Sequence, residues 1–186
     1  MPEYRGSSSK CGDILINVSS KALSHCGIVV KNRDVVHATG RGMMIDDVDM
    51  WTTHSDVFRP RALLPALADG IDQVARRLQA QKTQYGKARA GLKSWTGSSS
   101  FGSGARERLA KYRTRMAVPF EDSAEAIVKN VFCSEFVVLC YQLASADENG
   151  RHFIKLDAKH TLPKNLRAYL QNDLAYWEHI GQLAAG

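Results

Sequence analysis

The apolar positions of the first sixty residues recur in short, closely spaced runs. CGDILINVS (11–19) is a weakly alternating run rich in Ile, Leu and Val. HCGIVV (25–30) and VVHAT (35–39) repeat that β-branched pattern on either side of KNRD (31–34), which is turn chemistry. RGMMIDDVDMW (41–51) holds a further apolar stretch, and DVFRP (56–60) reads as a strand stopped by Pro60. Strands this short and this close in sequence pair most simply as an antiparallel sheet.

The period then changes. IDQVARRLQAQ (71–81) places Ile71, Val74, Ala75 and Leu78 on one helical face, with Asp69 and Asp72 suited to the first turn. TGSSSFGSGA (96–105) has no core-forming pattern and reads as a mobile loop inside the domain, because the pieces on either side are too small to fold alone. CSEFVVLCYQLASA (133–146) is apolar almost all round, which predicts a helix buried mid-fold. TLPKNLRAYLQND (161–173) predicts another helix, capped by Thr161 with Pro163 in its first turn. LAYWEHIGQL (174–183) offers Tyr176, Trp177 and Ile180 to a closing contact. The expected architecture is a single α+β domain over residues 1–186: an antiparallel sheet packed against helices, with a flexible Gly/Ser-rich basic insertion at about 95–118.

Composition agrees with a globular chain, at 44% apolar and 24% charged residues. No apolar run approaches the roughly 20 residues that cross a bilayer. MPEYRGSSSKCGD lacks the apolar core of a secretory signal, so the chain is expected to be cytoplasmic, cut from a longer precursor, or exported by a signal-independent system. The formal charge of +6 favours anionic partners such as cell-wall polymers or lipid head groups. The basic excess concentrates in ARERLAKYRTR (105–115), whose bland reading is a solvated helix face. No recognition helix, zinc finger or base-stacking strand pair is visible, so specific nucleic-acid binding is not expected.

Of the four cysteines, none falls in a CxxC or a Cys/His cluster with zinc spacing, and neither a metal nor a cofactor is expected. Cys133 stands where a polar segment meets the buried helix. There it feels the positive end of the helix dipole and unpaired backbone amides, both of which favour thiolate over thiol. A thiolate nucleophile needs a base beside it and a polar group to orient that base. His25 is the candidate base and His37 the candidate orienter. Side chains alternate across a strand, and these two residues lie an even number apart. They share a face only if the loop between their strands has an odd count or a bulge, so an irregular or odd turn is expected within 31–34.

GDIL (12–15), SHCGIVV (24–30), VVHATGRG (35–42), VFRP (57–60), FCSEFVV (132–138) and TLPKNL (161–166) occur in an order that resembles circularly permuted papain-like cysteine hydrolases. These are the YiiX/YebB-like relatives of NlpC-type cell-wall peptidases, with lecithin retinol acyltransferase-like enzymes a more distant branch. The resemblance covers about residues 11–180 and is weakest over 85–125. It implies a papain-like fold whose buried helix starts at the nucleophile Cys133, with His25 as base and His37 in the orienting position, where many relatives carry Glu. Cys26 is expected to point into the core, Cys140 to pack, Asp13 to support strand entry, and His54, His152, His160 and His179 to lie at the surface. Glu135 suits a helix N-terminus, and the Cys133 backbone amide is the expected oxyanion donor.

Three functions remain open on this reading. The first is an amidase or peptidase working through an acyl-enzyme, acting on peptidoglycan stem peptides, with a delivered bacterial effector toxin and its immunity protein as one setting. The second is a lipid thioesterase or acyltransferase. The third is a non-catalytic module that grips a polyanion through residues 105–115.

Overall fold

The computed structural model of the chain describes residues 3–4, 6–17, 24–51, 54–81, 83–85, 99–121 and 126–183. Among the described residues it is an α+β arrangement of one main sheet and four helices. Strands β2 (Ile14–Asn17), β3 (His25–Val29), β4 (Asp34–Thr39), β5 (Gly42–Asp47), β6 (Ser55–Pro60) and β9 (Trp177–Leu183) pair antiparallel in the order β9-β6-β2-β3-β4-β5. The short β1 (Glu3–Tyr4) adds to β9 in parallel. A second, two-stranded pair joins β7 (Gln84–Tyr85) to β8 (Asn130–Val131) and leads directly into a helix. The helices are α1 (Pro65–Ala80), α2 (Ser103–Ala117), α3 (Cys133–Ala144) and α4 (Pro163–Asn172).

The alternation read from the sequence divides the sheet between two cores. Ile14, Ile16, Cys26, Ile28, Val36, Ala38 and Phe58 face the helices, where they meet Ile71 and Leu78 of α1, Leu166 of α4 and nearly the whole of α3. Leu15, Val29, Val35, Val57 and Leu183 face the other way and close a smaller cluster around Trp51. Helix α3 is buried from Cys133 through Gln142, as its all-round apolar sequence requires. A buried side chain such as Phe136 there contributes about 1.5–3 kcal/mol over its exposed state. At the far end of β2, Asp13 is fully buried and takes both Arg59 Nε and Nη2, at 2.8 and 2.7 Å.

Several expectations shift. Helix α1 begins at Pro65, not near Ile71, because a proline at the first helical position is already set for the helix. Asp69 and Asp72 therefore lie past the first turn, where they pair with Lys31 and Arg76. The stretch 95–118 is not wholly a flexible insertion: from Ser103 onward it is the fifteen-residue α2, while 86–98 lie outside the described residues. Thr161 does not cap α4. Its hydroxyl turns back to the Asp157 carbonyl at 2.7 Å, leaving Leu162 in the cap position, with Pro163 in the first turn as expected. His152 is buried, its Nε2 against the Arg61 carbonyl at 2.8 Å. Tyr176 is partly exposed, and residues 177–183 join the sheet rather than merely closing it.

Candidate functional site

The hairpin β3–β4 sets the site. Its register pairs Gly27 with His37 and Val29 with Val35. The connection is the three-residue turn Lys31–Arg33, in which Asn32 and Arg33 adopt left-handed φ values of 63° and 65°. An odd loop keeps residues of equal parity on one face, so His25 and His37 lie together on the side away from α3's body. Their rings meet, with His25 Nε2 2.7 Å from His37 Nδ1.

Trp51 builds the wall behind them. It stacks on His25 at 5.4 Å with 14° between planes, and lies edge-on to His37 at 5.0 Å. Its own Nε1–H donates to Ser55 Oγ at 3.0 Å, which fixes the ring. Gly27 makes room for this: a Cβ there would sit 2.9 Å from Val35 Cγ1, 3.1 Å from Trp51 Cη2 and 3.2 Å from His37 Cβ. The glycine in SHCGIVV is thus a packing requirement of the two imidazoles and the indole.

Cys133 is the first residue of α3 and is buried. The first intrahelical bond of that terminus is Phe136 N–H to Phe132 O at 2.9 Å, so the amides of the first turn lie outside the helical ladder and point toward its start. Ser134 Oγ donates to Thr161 O at 2.6 Å and ties this end of the helix to the loop before α4. The thiol meets two neighbours from β3. Hydrogen bonding from the Cys26 side chain, then the bond and charge of the His25 ring, together with the Cys26 amide, hold Cys133 well below the ordinary thiol range against the opposing effect of burial. Burial first, and Cys133 second, push Cys26 well above it. The two shifts run in opposite directions, Cys26 toward S–H and Cys133 toward thiolate. His25 reaches both Cys133 and His37 because it is the first residue of its strand, at the end of the sheet where α3 begins.

The three residues singled out from the sequence, Cys133, His25 and His37, are thus brought together. Sequence reasoning missed two things. Cys26 was expected only as core; it is in the core, and it also touches the sulfur at 133. Asp46 has no signature of its own in the sequence, and its Oδ2 lies 2.8 Å from His37 Nε2. Burial, then the charge of His25, holds His37 below the ordinary imidazole value, although Asp46 acts the other way.

The remaining cysteines are unlike Cys133. Burial pushes the Cys140 thiol well up. Cys11 is pushed up to about 11, chiefly by burial and then by Asp72, and its Sγ lies 3.4 Å from Ala68 O. Cys11 lines a groove of about 550 Å³ with Lys10, Arg59 and Arg61, at the opposite end of β2 from the histidines. Helix α2 spends its charges on the fold. Arg108 pairs with Asp157 at 2.6 Å, Arg106 with Glu148 at 3.0 Å, and Arg113 donates to the carbonyls of Gln142 and Ser145. Among the described residues no His, Cys, Asp and Glu cluster has the geometry to hold a metal ion, and no helix is long and apolar enough to cross a membrane. No family model, no curated protein and no solved structure matches the chain.

Proposed function

We propose that this chain is a cysteine-dependent amidase or peptidase of the permuted papain-like kind. The observation that carries the reading is the meeting of Cys133 with His25, whose Nε2 lies 2.7 Å from His37 Nδ1. Cys133 is the nucleophile, His25 the base and then the acid, and His37 the group that orients it.

The chemistry follows from the positions. The Cys133 thiolate attacks a substrate carbonyl carbon, forming the C–S bond as the carbonyl pair moves onto oxygen. That oxyanion develops at the start of α3, where the Cys133 amide and the helix dipole favour negative charge. The oxyanion collapses, the C–N bond breaks, and His25 gives its proton to the departing amine. A water then loses a proton to His25, attacks the thioester carbonyl and releases the acid with Cys133 restored.

Peptidoglycan stem peptides are the proposed substrate, and the formal charge of +6 is compatible with an anionic wall. Delivery into competing bacteria is one setting for such an activity. The test is incubation of purified sacculi with wild type and Cys133→Ala, reading released muropeptides by mass spectrometry. Cleavage by wild type alone is expected. Intact sacculi after long incubation overturn the cell-wall assignment, and a fatty-acyl thioester on Cys133 with lipid donors reassigns the site to acyl transfer from lipid.

A further inference from the structure

His37 has two ring nitrogens and, when neutral, one proton between them, so where that proton sits decides what His25 can do. With the proton on His37 Nδ1, that N–H would donate to His25 Nε2. Neutral His25 would then carry its own proton on Nδ1, the nitrogen left to face the sulfur, and could not accept one from it. With the proton on His37 Nε2, the bare Nδ1 accepts from His25 Nε2–H, and His25 Nδ1 is left open to take the thiol proton. Only the second arrangement makes a base.

We propose that Asp46 is the positioning residue that selects this tautomer: its carboxylate oxygen, 2.8 Å from His37 Nε2, accepts the Nε2–H and directs Nδ1 to His25. The proposal rests on the thiol-hydrolase reading above and adds to it a residue outside the three-residue site. The register supplies Asp46 without distortion. On the β4–β5 ladder His37 faces Met44 and Val35 faces Asp46, so Asp46 is the same-face diagonal neighbour of His37, within reach of its ring. Among the described residues, the groups that bear on His37 are His25 from β3, Asp46 from β5, the Trp51 ring and the charge of Cys133 from α3. Asp46 is the one carboxylate among them. Placed against a bare Nε2, that carboxylate would set lone pair against lone pair, so it disfavours the unproductive tautomer as well as favouring the other. It lies on the edge strand β5 with its side chain 39% exposed, so replacing it opens no core cavity.

The test uses the full chain with ¹⁵N-labelled histidine. Long-range ¹H–¹⁵N spectra at pH 7 report the His37 tautomer in wild type, Asp46→Ala and Asp46→Glu, and the rate of iodoacetamide alkylation at Cys133 is followed across pH in the same proteins. Wild type is expected to carry Nε2–H on His37. Asp46→Ala is expected to lose that preference and to raise the midpoint of the Cys133 alkylation pH profile by about one unit, which slows alkylation about tenfold only at pH values below both midpoints. Asp46→Glu should restore both. An Nδ1–H tautomer in wild type overturns the proposal, as does an unchanged alkylation profile in a folded Asp46→Ala protein. Failure of the underlying reading has a different signature. Alkylation at Cys133 would then be indifferent to His25→Ala while the Nε2–H tautomer persisted, and the proposal would fall with the reading.

Discussion

Gly27→Ala sets two known effects against each other at the centre of the site. Alanine is better than glycine inside a strand by about 0.5–1 kcal/mol, so local propensity alone predicts stabilisation. The surroundings predict the opposite. The new methyl would lie 2.9 Å from Val35 Cγ1, 3.1 Å from Trp51 Cη2 and 3.2 Å from His37 Cβ, against an ordinary carbon contact of about 3.5–4.0 Å. None of the three neighbours yields easily. Val35 is buried in the smaller core, Trp51 is pinned through Ser55, and His37 is bonded at both nitrogens. Overpacking of this kind costs about 1–3 kcal/mol, which exceeds the propensity gain. The net loss is about 0.5–2 kcal/mol, or a fall in Tm of about 1–8 °C for a chain of this size. Because the displaced groups are the histidine and the indole behind it, Cys133 alkylation at pH 7 should slow as well. Thermal melts by circular dichroism and alkylation rates read both effects. A Gly27→Ala protein that melts at or above the wild-type temperature with unchanged Cys133 reactivity refutes the packing argument.

Further outcomes follow from the same contacts. Cys26→Ala removes the S–H that bonds the Cys133 sulfur, so the midpoint of the Cys133 alkylation pH profile should rise by about one unit, whereas Cys26→Ser, which keeps a donor, should stay near wild type. Asp56 is held below the ordinary carboxylate range: burial opposes this, but hydrogen bonds from Gln182 and from Arg167, whose Nε is 2.5 Å away, outweigh it. A depressed carboxylate contributes stability above its unfolded pKa of about 3.9 and loses it as pH falls through the lower folded value, so urea midpoints measured downward from pH 4 should decline less steeply in Asp56→Asn. Arg113→Ala frees the α2 anchor on the Gln142 and Ser145 carbonyls and should cost about 1–3 kcal/mol in urea unfolding, while Lys111→Ala, which breaks an exposed pair with Glu107, should leave the midpoint where it was.

What could be read in advance was whatever depends on period. Two histidines of equal parity demanded an odd turn, and Lys31–Arg33 is one, with Asn32 taking the left-handed conformation that its short polar side chain tolerates. The apolar circuit of 133–146 marked a buried helix for the same reason. What could not be read depends on register and on distant partners. MMIDDVDM offers three aspartates, and only the β4–β5 pairing shows that Asp46 is the one beside His37. Helix α2 buries only Ala105 and Leu109, so its sequence carries little helical period, and its anchoring lies in ion pairs to residues some forty positions away. His152 sits in a polar stretch that suggested the surface, yet the carbonyl it meets belongs to Arg61.

The pH dependence of alkylation at the sulfur of residue 133 tests the central claim most directly. Limiting iodoacetamide is reacted from pH 4 to 10 with the wild-type protein and with His25→Ala, and modification at Cys11, Cys26, Cys133 and Cys140 is read separately by mass spectrometry. The account predicts that Cys133 is modified first, with a midpoint below neutrality that rises when the imidazole is removed. A Cys133 that titrates near the ordinary thiol value of about 8.5 in both proteins would contradict it.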